Sequence, residues 1–413
     1  MDKAVPDLDL EFVRRQFPAF SEPSLQGQAF FENAGGSYAC GQVIDRLTRY
    51  YRETKVQPYW SFEASTRAGR EMDSAHARLA GLMNLQAEEV LLGPSTSQNT
   101  YVLAQAFRPL WQEGDEIIVT NQDHEANSGA WRRLEKTGIV VREWQVNPET
   151  GELEIDALDD LLSEKTRLVA FPHCSNIVAH INPVREIADR VHAAGAHVVV
   201  DGVSYAPHGL PDVVALGADV YLCSLYKVYG PHQGLMAVRR PLLEQLANQS
   251  HYFNEENLRA KLIPAGPDHA QIAAANGVVD YFEALHAHHF PDEASPAEVG
   301  RRVHELLRNH EQALLAGLMA YLGQRNDVRV LGPTDAKLRA PTVAVQTLSR
   351  NPHEVADALA GKGIMAGAGE FYSIRIFGAM GVAADPGALR LSFVHYTRPD
   401  EVEKLVVALG ECL

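Results

Sequence analysis

Ser224-Leu225-Tyr226-Lys227-Val228-Tyr229-Gly230-Pro231-His232 is the stretch on which the reading of this chain turns. It follows an apolar run, Ala218-Asp219-Val220-Tyr221-Leu222-Cys223. That run is short, β-branched and aromatic, which predicts a buried strand. Gly230-Pro231 then breaks the chain. Lys227 is therefore placed at a strand end, in a tight turn. Lysines ordinarily sit on solvated faces. A lysine in a desolvated pocket can lose its proton and form a Schiff base with an aldehyde. Upstream, Ala196-His197-Val198-Val199-Val200-Asp201 is a second apolar run, ending in an acid. An aspartate at the end of a buried parallel strand points into the crevice where α/β sheets bind ligands. Together the lysine and the acid are the two parts of a pyridoxal 5'-phosphate (PLP) site: the lysine holds the aldehyde and the acid pairs with the pyridinium nitrogen. On these two residues alone, a helix-capping aspartate and an exposed turn lysine remain an equal alternative.

Composition narrows the class. At 413 residues the chain is long enough for a large domain and a smaller one, and 46% apolar residues support a large core. A formal net charge of −16 argues against nucleic acid or an anionic membrane as partner. The polar start, Met1-Asp2-Lys3-Ala4-Val5-Pro6-Asp7, lacks the pattern of a signal peptide. No stretch approaches the ~18 uninterrupted apolar residues of a membrane span. Cys40, Cys174, Cys223 and Cys412 are scattered, which suggests neither zinc nor a disulfide framework and fits a reducing cytoplasm.

Residues 1–30 read as an N-terminal arm joining the small domain, with an amphipathic stretch near residues 10–17. Phe30-Phe31-Glu32-Asn33-Ala34-Gly35-Gly36 then runs into a small-residue turn that lets backbone approach a ligand. The strand Val90-Leu91-Leu92 leads through Gly93-Pro94-Ser95-Thr96-Ser97-Gln98-Asn99 into a helix. Free N–H groups, the helix dipole and hydroxyls suit phosphate there, although a plain N-cap has the same pattern. Strand and helix patterns alternate through residues 116–120, 139–143, 157–162, 168–171 and 184–201, implying a mostly parallel sheet with helices on both faces. From residue 268 the character shifts to two long helical patterns (270–285 and 297–322) and shorter strands. The domains are thus expected at 31–267 (large) and 268–413 (small, α+β). His286, His288 and His289 cluster at a helix end, but no carboxylate completes a metal-ligand set, so no metal site is assigned.

Taken as an ordered set, these motifs resemble the class V aminotransferase group of fold-type I PLP enzymes, and within it the cysteine desulfurase-like proteins. The resemblance runs from Phe30-Phe31-Glu32-Asn33-Ala34-Gly35-Gly36 through Asp201-Gly202-Val203-Ser204 and Ser224-Leu225-Tyr226-Lys227 to Leu389-Arg390-Leu391-Ser392-Phe393. It implies a fold-type I architecture with a seven-stranded, mostly parallel sheet, PLP as cofactor, an amino acid as substrate and a homodimer. By position it implies Lys227 as the Schiff-base lysine and Asp201 as the pyridinium partner. His124 falls where the family has a histidine stacked on the cofactor ring, which can also act as acid or base. Asn176 matches an asparagine near the ring hydroxyl and the substrate carboxylate. Thr96, Ser97 and Ser224 match phosphate ligands. Arg390 matches the arginine that grips the α-carboxylate, and Ala34 and Gly35 fall on the substrate side.

Four departures qualify the resemblance. Ser204 stands where desulfurases have a glutamine, and Tyr226 where they usually have a histidine; both remain assigned to the cofactor. Pro267, in Pro264-Ala265-Gly266-Pro267-Asp268, replaces a threonine of the cross-subunit phosphate loop and removes a hydroxyl and an N–H. The loop Gly367-Ala368-Gly369-Glu370-Phe371-Tyr372-Ser373 lacks the sulfur-accepting cysteine. Persulfide chemistry needs a thiolate. The expectation is therefore a desulfurase-like carbon–sulfur lyase working by β-elimination without a persulfide. Its rivals are an aminotransferase, a racemase or epimerase and, remotely, a non-catalytic PLP- or amino-acid-binding protein.

Overall fold

The computed structural model describes residues 5–413. Its strands, in chain order, are β1 (Ala29–Phe30), β2 (Val90–Gly93), β3 (Glu116–Thr120), β4 (Val140–Trp144), β5 (Thr166–Pro172), β6 (His197–Asp201), β7 (Val220–Ser224), β8 (Gly234–Val238), β9 (Val328–Val330), β10 (Thr342–Thr347), β11 (Ile364–Met365), β12 (Gly367–Gly369) and β13 (Ala388–Ser392). Seven form one sheet in the order β2-β8-β7-β6-β5-β3-β4. Neighbours are parallel except at β8, which runs antiparallel to both β7 and β2. The fold is therefore the expected α/β class, with a mostly parallel sheet.

Both faces of this sheet are covered. Ile118, Val169, Phe171, Val198, Val200 and Tyr221 pack into one core cluster. Their strand neighbours Ile117, Val119, Leu168, Ala170, Val199 and Val220 pack into another. Side chains of a strand alternate between faces, so a strand buried on both reads as an unbroken apolar run. That explains why the sequence around Asp201 and Lys227 carries no polar alternation.

A second sheet, β12-β13-β10-β9, is antiparallel throughout. The N-terminal segment joins this region: β1 pairs in parallel with β11, and Glu32 bridges to Ser392. Phe31 lies in the small-sheet core with Val343, Leu389 and Leu391. The chain from residue 268 does not pack as one body. Ala270, Val278, Val279, Tyr281 and Phe282, on helices His269–Ala274 and Asn276–His289, share the core of the large sheet. Leu314, Leu315 and Leu318, late in helix Pro296–Leu322, belong to the small-sheet core instead. One helix thus spans both cores, a link that composition along the chain does not reveal.

Two of the three clustered histidines anchor the N-terminal arm. His288 stacks on Phe12 with ring centroids 3.9 Å apart, and its Nε2 lies 2.9 Å from an Asp9 carboxylate oxygen. His289 Nε2 accepts from the Asp9 N–H at 2.9 Å. No helix among the described residues is long and apolar enough to cross a membrane.

Candidate active site

The C-terminal ends of β2, β3, β5, β6 and β7 meet at one edge of the large sheet. Each delivers its next few residues there, as parallel α/β sheets do at their ligand crevices. A cavity of 240 Å³ lies at this edge, and its walls include Thr96, Ser97, His124, Asn176, Asp201, Ser204, Ser224, Tyr226 and Lys227. All nine positions assigned to a cofactor from the sequence therefore converge. Arg390, Ala34 and Gly35 do not line this cavity.

Lys227 ends a 3-10 turn that follows β7 directly. The turn is closed by Val228 and Gly230 N–H groups, both donating to the Leu225 carbonyl at 2.8 Å. Gly230 is needed there: a Cβ would meet that carbonyl oxygen at 2.9 Å and Val278 at 2.8 Å. Lys227 is only 8% exposed. Burial, reinforced by the Arg390 charge, lowers its pKa from 10.5 to about 8, against the opposing pull of Asp201 and Glu32. Asp201 is buried at the end of β6, one oxygen accepting from Val203 N–H at 2.9 Å. Burial raises its pKa from 3.8 to about 6, while the Val203 N–H and Lys227 work against that shift.

Thr96 and Ser97, expected at the phosphate, sit at the start of helix Thr96–Phe107. Ser95 caps it, accepting from Gln98 N–H at 3.2 Å. The Thr96 hydroxyl lies 2.7 Å from that of Ser224 and donates to the Cys223 carbonyl at 3.0 Å, which ties this turn to the end of β7. A Cβ on Gly234 would collide with the Ser95–Thr96 backbone, so glycine there lets β8 run close beneath the turn. Tyr226 stacks on His232, ring centroids 4.7 Å apart.

His124 caps helix Glu125–Arg132, its Nδ1 accepting from Ala126 N–H at 3.0 Å. Burial, with the charges of Lys227 and Arg390, lowers its pKa to about 4, so the ring is neutral at physiological pH. His124 thus both starts a helix and lines the cavity. Asn176 is held by the loop after β12: its Nδ2 donates to the Phe371 carbonyl at 3.0 Å and its Oδ1 accepts from the Ser373 hydroxyl at 2.8 Å.

Arg390 projects from β13, 3% exposed, behind Asn176 and Phe371. Its Nη2 is paired with the Glu32 carboxylate. Its guanidinium carbon lies 3.8 Å from the centre of the Phe371 ring. The turn carrying Ala34 and Gly35 bridges the two halves of the site. Ala34 N–H donates to the Ser392 hydroxyl at 2.8 Å, and the Ser37 hydroxyl donates to the Lys227 carbonyl at 2.7 Å.

Sequence reasoning missed Glu32 and Asp123 as site residues. Asp123 is buried on the cavity wall; one oxygen accepts from Asn127 Nδ2 at 2.8 Å and the other has no partner. Burial and the Asp201 charge push its pKa well up. An acid directly before a site histidine was the available signal. Glu32 gave none, because its partner Arg390 is 358 positions away in the chain.

These residues fit PLP. Hydroxyls crowd a helix N-terminus for the phosphate, a buried carboxylate faces the same cavity for the pyridinium nitrogen, and a buried amine stands beside it for the aldehyde. The profile of the family described as "Aminotransferase class-V" matches residues 29–289 and 303–405. The aminotransferase-like protein FGM3 of Gibberella zeae is 36% identical over 413 residues, covering 97% of each chain. A cysteine desulfurase of Serratia proteamaculans is 27% identical over 418 residues, again covering 97% of each. Among solved structures, the apo cysteine desulfurase of Thermococcus onnurineus superimposes with a TM-score of 0.84 at 21% identity, covering 99% of this chain and 98% of that one. The chain belongs to the class-V aminotransferase family and is a PLP-dependent enzyme.

Proposed function

We propose that this enzyme removes the α-proton of an amino acid and expels a leaving group from its Cβ, acting as a desulfurase-like lyase that never loads sulfur onto a cysteine. When bound, PLP supplies an electron sink for the pair left at Cα. Lys227 anchors it and takes the α-proton on Nζ; a pKa of about 8 leaves enough neutral amine for this near neutral pH. Asp201 holds the ring nitrogen protonated. The Thr96 N–H and the hydroxyls of Ser97 and Ser224 would donate to the phosphate. His124, neutral and fixed by Ala126 N–H, packs on the ring. Tyr226 would donate to the phosphate, and Ser204 would help hold the cofactor from the cavity wall. Asn176 and Arg390 orient the substrate carboxylate, with the backbone of Ala34 and Gly35 beside it.

The observation that carries the lyase reading is the state of the thiols. All four cysteines are buried. Burial pushes Cys174 and Cys223, the two nearest the site, up to about 12. Cys174 Sγ also donates to the Ala179 carbonyl at 3.2 Å. Thiols so far from ionising are poor sulfur acceptors. The loop that would carry a mobile cysteine offers Glu370, Phe371 and Tyr372, with Tyr372 71% exposed. Transamination is the second reading, favoured by the similarity to an aminotransferase-like protein.

The deciding experiment incubates PLP-loaded enzyme with a panel of amino acids and identifies products. Keto acid with ammonia and an unchanged cofactor supports elimination. Keto acid with stoichiometric aminated cofactor supports transamination. Inversion at Cα alone, detected by chiral chromatography, sinks both. The same reading takes the working form as a homodimer, in line with the family resemblance. A PLP-bound, active monomer in solution scattering rules that out.

A further inference from the structure

Arg390 is an under-satisfied cation. Among the described residues its Nη2 pairs with Glu32, its Nη1 reaches only the Asn176 carbonyl at 3.5 Å, and its buried Nε has no partner. A guanidinium fork offers five N–H donors and binds best to a carboxylate taken bidentately. Here it holds a single short contact. The two partners also differ in freedom. Arg390 is fixed in a strand between β12 and β10, with its side chain 4% exposed. The Glu32 side chain is 26% exposed and stands at the head of a small-residue turn. Its carboxylate lies where a Cβ on Gly35 would be, and a Cβ on Gly367 would come within 3.3 Å of its Cγ. Glycine on both sides leaves the acid room to turn away.

We propose that Glu32 is an internal surrogate for the substrate: it occupies the Arg390 fork in the free enzyme and gives way when the α-carboxylate of an amino acid arrives. The inference rests on the reading of Arg390 as the carboxylate-binding residue. Exchange conserves charge pairing at the fork, because one carboxylate replaces another and the released Glu32 reaches solvent. A single contact is traded for a bidentate one, which gives the exchange its direction. The fork is thus never an unpaired buried cation, a state that costs far more than the pair itself contributes. Every amino acid must displace Glu32 before it binds, so the latch weakens apparent affinity by the fraction of time the fork is closed. Glu32 is a positioning residue here and takes no part in proton transfer.

The test compares L-alanine with L-alaninamide, which keeps the amine and the shape but lacks the carboxylate. Binding to the full-length, PLP-loaded enzyme is read from the cofactor absorbance. Glu32→Gln is expected to tighten L-alanine about tenfold, the scale of one charge-assisted hydrogen bond. It should leave L-alaninamide unchanged, because no carboxylate competes there. Glu32→Asp, too short to reach the fork from the same backbone, should act in the same direction and serves if the glutamine variant folds poorly. Equal shifts for both compounds, or weaker L-alanine binding in either variant, overturn the exchange while leaving the carboxylate site intact. Should wild-type enzyme bind L-alanine no better than L-alaninamide, the reading of Arg390 itself falls and takes the latch with it.

Discussion

The two sides of the site are built on different principles. The side proposed for the cofactor is assembled from the C-terminal ends of strands of one sheet, each residue placed by its own strand and turn. Lys227, Asp201 and Thr96 owe their positions to β7, β6 and the cap of the helix after β2. The substrate side is assembled from distant chain segments held by one another: Glu32 on Arg390, Asn176 on Phe371 and Ser373. The first arrangement is rigid because the sheet is. The second depends on contacts between side chains and loops that can exchange. The cofactor side should therefore fail abruptly when altered, and the substrate side by degrees.

Lys227→Ala is the most severe break. It removes both the anchor and the base, and we expect turnover to fall by roughly 10⁴-fold, the upper range for a positioned acid–base group. Borohydride treatment followed by mass spectrometry should find the cofactor on the Lys227 peptide in wild type and nowhere in the variant. The pH dependence of cofactor capture sharpens the same point. Only neutral amine attacks an aldehyde, so the capture rate of cofactor-free enzyme should climb to about pH 8 and then level. A climb continuing toward the ordinary 10.5 would mean that Lys227 is not desolvated.

Asp201→Asn comes next, with an expected loss of about 10²-fold in turnover, since an amide cannot hold the ring nitrogen protonated. The same change should stabilise the cofactor-free protein. Below pH 3.8 the carboxyl is protonated folded and unfolded and contributes nothing. Between 3.8 and about 6 the unfolded chain ionises while the folded chain resists, and above that the whole cost of the buried charge is present. The variant should be more stable than wild type by about 1–3 kcal/mol at pH 7, with the gap closing toward pH 4. Urea melts at the two pH values measure this. A variant less stable at pH 7 would contradict the burial argument.

On the substrate side Phe371→Ala removes the ring that covers the Arg390 guanidinium. Cation–π contacts contribute about 0.5–2 kcal/mol. A rise in KM of a few-fold with little change in kcat is expected. A loss confined to kcat would place the ring against the reacting atoms instead. The smallest effect belongs to Cys174→Ser. Turnover should change by less than about twofold, because a buried thiol of raised pKa takes no part. Peptide mapping after turnover with cysteine should find no persulfide on any of the four cysteines. A stoichiometric persulfide on Cys174 would turn the lyase reading into a desulfurase with a relocated thiol.

The same division governs what could be read from the chain. The strand-end placement of Lys227 and Asp201 was legible because each follows an apolar run bounded by turn residues, a local pattern; their cofactor roles came from the family resemblance. Thr96 and Ser97 stood out as a hydroxyl-rich turn before a helix, a pattern shared by plain N-caps, so it took the family resemblance to single them out for phosphate. The antiparallel β8 went unseen, although Gly234-Leu235-Met236-Ala237-Val238 is as apolar as its neighbours, because direction leaves no trace in composition. Arg390 was found by family resemblance, yet its pairing with Glu32 was not. A salt bridge between distant segments has no periodicity or spacing to betray it. The helices at residues 269–289 were grouped with the chain that follows them, whereas their apolar faces pack against helix Glu63–Leu82 and the large sheet.

The pairing of the N-terminal segment with the far end of the chain also bears on how the protein comes to exist. Glu32 and Arg390 are 358 residues apart, and β1 can join β11 only after nearly the whole chain has been made. A ribosome adding about 5–20 residues per second needs roughly 20–70 s to cover that interval. Through that time Phe31 is exposed without its core, while the large sheet, complete from β2 to β8, is free to form. The strands that carry Asp201 and Lys227 are therefore made well before the strand that carries Arg390, so the two sides of the site differ in age as well as in construction.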